Sequence, residues 1–151
     1  MKSLAAYTVA TFVIGIGDRS DENVMIKKTG ELFHVDYETF GTSRSMFGVK
    51  RASTSCYFVP AFAEVLGGVG SPMYNKFLDT CVEAFNILRK NSTFLITIFS
   101  LMVGSGISEL SVMEDIEYLR DNLMLPFSDT EAGNELKQII EASRTKGKFY
   151  M

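Results

Sequence analysis

With 151 residues and 46% hydrophobic composition, the chain is the size of one domain and carries enough apolar side chain to bury a core. A net charge of −3 and a pI near 5.2 point away from nucleic acid as a partner. The two cysteines, Cys56 and Cys81, show no metal-ligand or redox spacing, and a single histidine cannot build a zinc cluster, so both thiols read as free and cytosolic.

Met1-Lys2-Ser3-Leu4 leads into an apolar run followed by charged residues rather than a small-residue cleavage site, so the run is not read as a signal peptide. Ser3 to Ile14 is predicted as a helix, with Ser3 capping the first amides and Gly15 and Gly17 ending it. Apolar on most faces, it should be buried.

Gly15 to Thr39 carries the chemistry. Asp18 and Asn23 stand in a D-x-x-x-x-N arrangement, and Asp36-Tyr37-Glu38 follows. Between them, Asn23-Val24-Met25-Ile26 and Glu31-Leu32-Phe33-His34-Val35 read as strands joined by Lys27-Lys28-Thr29-Gly30, where glycine supplies the positive φ of a tight turn. Such a hairpin brings the Asn at its start close to the Asp after its end. A carboxylate and an amide oxygen suit Mg²⁺, a hard cation that prefers oxygen ligands, and this order of parts is the one used to hold magnesium and phosphate. Taken alone, the motif is a weak signal, and a polar loop beside an ordinary hairpin is the favoured reading.

Thr39 to Tyr57 is rich in Ser, Thr and Gly without apolar periodicity and is predicted as a mobile surface loop. Its cations, Arg44, Lys50 and Arg51, suit phosphate groups, but on these residues alone a solvated turn is the favoured reading. Pro60 to Leu66 reads as a short helix begun by proline and stopped by Gly67-Gly68. A longer helix is predicted from Ser71 to Lys90, with Phe77, Leu78, Cys81, Val82, Phe85 and Leu88 inward. Ser92 to Val103 is the most apolar segment; at about a dozen residues it falls short of the roughly 20 that cross a bilayer and reads as a buried core helix ended by Gly104-Ser105-Gly106. Ser111 to Leu123 is predicted as a helix capped by Ser111, with Glu114 completing a capping box and Asp115 in the first turn. Pro126 closes that segment, and Ser128 to Arg144 reads as an amphipathic helix with Leu136, Ile139 and Ile140 inward and Gly147 closing it. No internal repeat or domain boundary appears. The residues therefore describe an α+β domain, mostly helical, with one hairpin beside an acidic loop.

Ala6 to Arg19 and Leu32 to Tyr37 resemble the catalytic and metal-binding segments of the phosphoinositide 3-kinases. Phe85 to Lys90, Leu101 to Leu110 and Glu114 to Asp121 resemble that family's C-lobe helices in the same order. The resemblance covers nearly the whole chain. It implies the C-terminal lobe of a protein-kinase-like fold over residues 1–151, with the N-lobe absent. It further implies Mg²⁺- and ATP-dependent phosphoryl transfer to the 3-hydroxyl of phosphatidylinositol lipids, with the chain cytoplasmic or peripheral at membranes. Asp18 and Arg19 then take the catalytic positions, Asn23 and Asp36 hold Mg²⁺ and nucleotide, and Lys50 and Arg51 meet the lipid head group. The N-lobe or a regulatory protein is the implied protein partner, and an exposed apolar face implies an oligomer or a chaperoned state.

The chain departs from the family pattern in ways that bear on activity. Where the family reads D-R-H-N-x-N, this chain has Asp18-Arg19-Ser20-Asp21-Glu22-Asn23, and where it reads D-F-G-H, this chain has Asp36-Tyr37-Glu38-Thr39. Ser20 and Thr39 replace both histidines, and Glu38 puts a carboxylate where glycine belongs. A hydroxyl neither accepts a proton near neutral pH nor carries an imidazolium's charge. Weak activity, an inactive interaction module, and phosphate transfer to protein all remain open readings at this level.

Overall fold

The structure, a computed structural model, describes residues 1–16, 19, 22–37, 43–44, 50–51, 56–107 and 110–146, with only the backbone described at 43, 44, 50, 51, 114 and 146. In chain order the elements are helix α1 (Lys2–Ile14), strands β1 (Val24–Ile26), β2 (Leu32–His34), β3 (Ser43–Arg44) and β4 (Lys50–Arg51), then helices α2 (Pro60–Val65), α3 (Pro72–Lys90) and α4 (Ser92–Met102), a 3-10 turn at Met113–Ile116, and helices α5 (Glu117–Asn122) and α6 (Asp129–Lys146). The fold is α+β and mostly helical, as expected.

Helix α3 is the central support. Ser71 caps it, its hydroxyl accepting from the Tyr74 amide at 3.1 Å, and Pro72 pre-sets the first turn. Tyr74, Phe77, Cys81 and Phe85 are buried along one stripe, at the spacing of a helix face. Against it lie Val9, Phe12 and Val13 of α1 and Ala132, Leu136 and Ile140 of α6. The Phe12 and Phe85 rings meet edge to face at 6.0 Å, and Phe58 stacks on Phe77 at 5.0 Å. Ala132, Leu136 and Ile140 bear out the inward face predicted for α6, with Ile139 partly buried. Gly133 makes the close approach of α6 to α3 possible, since a Cβ there would meet Val82 Cγ1 at 2.7 Å.

Arg89, in the last turn of α3, is buried, and its guanidinium is spent on chain ends rather than on solvent. Nε donates to the Leu123 carbonyl at 3.0 Å, and the terminal nitrogens donate to Asn86 Oδ1 and Asp129 Oδ1, both at 2.8 Å, and to the Met124 and Phe127 carbonyls. One planar cation thereby stitches the α5–α6 connection to α3.

Several local expectations are corrected. Helix α1 begins at Lys2 with Met1 in the capping position, and the Ser3 hydroxyl instead accepts from the Leu32 amide at 3.1 Å, tying β2 to α1. Its end is as predicted: Gly15 is left-handed at φ 70°, and the Ile16 amide reaches back to Thr11 O at 2.9 Å. Gly17 lies outside the described residues. The predicted loop from Thr39 to Tyr57 contains the antiparallel pair β3–β4, and Cys56 near its end is buried in the core.

The start of the segment expected to be helical from Ser111 is held by Asp115. The Asp115 carboxylate accepts from the amides of Ser111 and Val112, both at 2.9 Å, and the segment starts as a 3-10 turn before α5. The Glu114 side chain lies outside the described residues. A capping box forms at α6, where the Ser128 hydroxyl accepts from the Glu131 amide and the Glu131 carboxylate accepts from Ser128 N.

The largest correction concerns α4. It is helical but buries no residue, leaving Phe94 66% and Leu101 80% exposed. The segment carries more apolar side chain than its neighbours cover: it rests mainly on α3 and the Met113–Ile116 turn, and Ile96 and Phe99 pack against the core. Among the described residues no helix is long and apolar enough to cross a membrane.

Candidate active site

The hairpin forms as the turn chemistry predicts. Val24 pairs with His34, Met25 with Phe33 and Ile26 with Leu32, and Gly30 takes φ 90° in the turn. At its open end the Val35 amide donates to the Asn23 carbonyl at 3.0 Å. One hydrogen bond beyond the strands therefore brings Asn23 and the residue before Asp36 together. The Schellman-type end of α1 feeds the chain into the same corner through Arg19.

Arg19 is partly buried there. One terminal nitrogen donates to the Val35 carbonyl at 2.9 Å, the other to the Asp36 carbonyl, and the guanidinium lies 5.6 Å from the centre of the Tyr37 ring. Asp36 is exposed and takes φ 59°, a left-handed conformation that aspartate tolerates better than most residues. The Tyr37 hydroxyl donates to the His34 carbonyl at 2.9 Å.

His34 forms the inner wall. Only 4% exposed, its ring stacks on Tyr7 at 4.9 Å and meets Tyr57 edge-on at 6.0 Å, with Nδ1 unpartnered. Burial first and Arg19 second push its pKa down to about 4. It is neutral near pH 7, and Arg19 supplies fixed positive charge beside Asp36. Burial first, with Tyr7 adding, raises the Tyr37 hydroxyl pKa, against the opposing pull of Arg19. Beside Tyr37, Tyr7, Ile14, Ile16, Phe99 and Met102 line a groove of about 390 Å³ between α1 and α4. Among the described residues the lining carries no charged side chain.

Of the sequence-predicted site residues, the structure brings Arg19, Asn23 and Asp36 to one corner. Asp18, Ser20, Glu38 and Thr39 lie outside the described residues. Lys50 and Arg51 form β4, where Lys50 pairs with Arg44 and Arg51 with Ser43, and their side chains are not described. The amide oxygen of Asn23 and the carboxylate of Asp36 are the hard oxygen donors a Mg²⁺ ion takes, and two protein ligands suit an ion that keeps most of its water. Among the described residues no three His, Cys, Asp or Glu side chains gather into a closed metal cage. The contacts of Arg19 and of the Tyr37 hydroxyl went unread in the sequence, because their acceptors are backbone carbonyls, which carry no residue signature.

Residues 1–112 match the family model described as phosphatidylinositol 3- and 4-kinase. Phosphatidylinositol 3-kinase 2 of Dictyostelium discoideum is 46% identical over 146 residues, covering 95% of this chain and 8% of that protein. Phosphatidylinositol 3-kinase 1 of the same organism is 41% identical over 142 residues, covering 93% of this chain and 9% of that protein. The human phosphatidylinositol 4-phosphate 3-kinase C2 domain-containing subunit beta is 36% identical over 156 aligned residues, covering 99% of this chain and 10% of that protein. The chain thus spans about a tenth of the length of the curated relatives it matches.

Proposed function

The chain belongs to the phosphatidylinositol 3- and 4-kinase family, and from that premise we propose that it is the C-lobe part of a lipid-kinase catalytic domain that transfers the γ-phosphate of Mg²⁺-ATP to the 3-hydroxyl of phosphatidylinositol at a cytoplasmic membrane surface. The observation that carries this reading is the corner in which Arg19, Asn23 and Asp36 converge at the open end of the β1–β2 hairpin. In the proposal Asn23 and Asp36 hold Mg²⁺, which neutralises developing charge on the phosphates when bound, and Asp18 orients the inositol hydroxyl. Lys50 and Arg51 meet the head group. Support for that role comes from the β3–β4 register, which sets Arg44 and Lys50 at directly opposite positions, a like-charge pairing that an anion relieves.

ATP in such kinases lies between two lobes, so an N-lobe is the expected protein partner. Activity is proposed to be impaired, because Ser20 and Thr39 stand where histidines would handle protons and charge; losing one such group costs about 10²- to 10⁴-fold. Transfer of labelled phosphate from Mg²⁺-ATP to phosphatidylinositol vesicles, with an N-lobe supplied, tests the reading: Asp36→Ala is expected to abolish it, and Ser20→His with Thr39→His to raise it about tenfold or more. Equal rates for the native chain and Asp36→Ala would reject the metal site. A second reading, an inactive chain that works by binding, draws on the exposed apolar side of α4, where Phe94, Ile98 and Leu101 lie. It is upheld if neither the native chain nor the double-histidine variant transfers phosphate.

A further inference from the structure

We infer that Arg19 is a positioning residue that acts on Asp36 through the backbone: held against the Tyr37 ring, its guanidinium bridges the carbonyls of Val35 and Asp36 and locks Asp36 in the left-handed conformation that aims its carboxylate. This rests on the reading of Asp36 as a metal ligand.

The geometry supports it directly. The Val35 carbonyl belongs to the peptide plane before the Asp36 Cα, and the Asp36 carbonyl to the plane after it. Two donors of one rigid, planar group grip both planes. Fixing the two planes fixes φ and ψ of Asp36, and with them the direction of its Cα–Cβ bond. That conformation, φ 59°, costs an L-residue energy, less for aspartate than for most, and the two-carbonyl grip offsets that cost. The clamp is itself braced. Tyr37 lies beneath the guanidinium at 5.6 Å and is anchored from the far side by its hydroxyl bond to His34 O, while the His34 ring is wedged against Tyr7. In place of the family's phenylalanine, Tyr37 thus adds a hydrogen bond that ties this turn to β2.

Positioning and direct charge action make opposite predictions for Arg19→Lys. Lysine keeps the positive charge but offers one compact ammonium without the fixed fork, so it preserves electrostatic attraction to phosphate and loses the two-carbonyl grip. The test is titration of the full chain with Mn²⁺ and ATP, followed by electron paramagnetic resonance, for the native chain, Arg19→Lys and Asp36→Ala, with circular dichroism melts to confirm folding. Positioning predicts that Arg19→Lys weakens Mn²⁺ binding about 10- to 100-fold, the scale of losing a group that orients a ligand. Native-like Mn²⁺ affinity in Arg19→Lys, with Asp36→Ala weakened, overturns it. Should Asp36→Ala leave Mn²⁺ binding unchanged, the metal reading is what fails, and the backbone then decides the positioning role. The φ of Asp36, read from NMR couplings, is expected to move to negative values in Arg19→Lys, and a φ that stays positive overturns the inference.

Discussion

Helices α3 and α4 are consecutive and differ in a way that runs against their compositions. The sequence of α4, STFLITIFSLM, is the more apolar, yet it buries no residue. Helix α3 carries Asn, Lys, Asp, Glu and Arg and still supplies Tyr74, Phe77, Cys81 and Phe85 to the centre of the core. Burial here follows the cover that neighbours supply rather than total hydrophobicity: α1, apolar on most faces, is buried because α3, β2 and α5 pack on it, whereas α4 has less cover. An amphipathic helix such as α3 has one orientation that hides its apolar stripe, whereas α4 carries more apolar surface than its neighbours reach.

The strongest way to break that comparison is truncation at matched phenylalanines. Phe85→Ala should cost about 3–5 kcal/mol and Phe94→Ala within about 0.5 kcal/mol, measured by urea melts. Similar losses at the two sites would show that α4 is buried in solution. Next comes the guanidinium at the end of α3: Arg89→Met should destabilise by about 1–3 kcal/mol through the buried Leu123 carbonyl it leaves unpaired, and by less through the part-buried carbonyls of Met124 and Phe127, with the loss read in the same melts. Gly133→Ala should cost about 1–3 kcal/mol by driving a methyl into Val82, and Val82→Ala in the same chain should return part of it.

The gentlest probe is chemical. Burial pushes the Cys56 thiol up to about 12, and burial first, then Cys56, raises the Cys81 thiol on α3. A raised thiol pKa means a smaller thiolate fraction at a given pH, so at pH 8 both should resist a thiol-reactive dye until the chain unfolds. A cysteine introduced on α4 by Leu101→Cys, with an ordinary pKa of about 8.5, should react in the folded chain. Rapid labelling of Cys81 in the folded state would contradict the packing of α3.

What could be read in advance follows the same physics. The stripe on α3, the Gly15 stop of α1, the Lys27–Gly30 turn and the inward face of α6 all rest on interactions within a few residues, where spacing and side-chain chemistry suffice. The errors fell where a local signal met a distant competitor. Ser3 looked like a cap but was claimed by Leu32, a position 29 residues away. The burial of Arg89 carried no signal in the sequence, because the carbonyls it binds belong to a connection more than thirty residues downstream.

For the candidate site, the order Asp18, Asn23, Asp36 and the hairpin between the last two were determined by the sequence alone, since turn residues and strand alternation dictate which ends meet. Only the tertiary structure decided that Arg19 reaches across to the carbonyls of Val35 and Asp36, that Tyr37 is pinned to His34, and that α4 stays outside the core. The reason is common to all three. Backbone acceptors look alike at every residue, and the cover available to an apolar helix depends on its neighbours, so neither is written in the identity of the residues themselves.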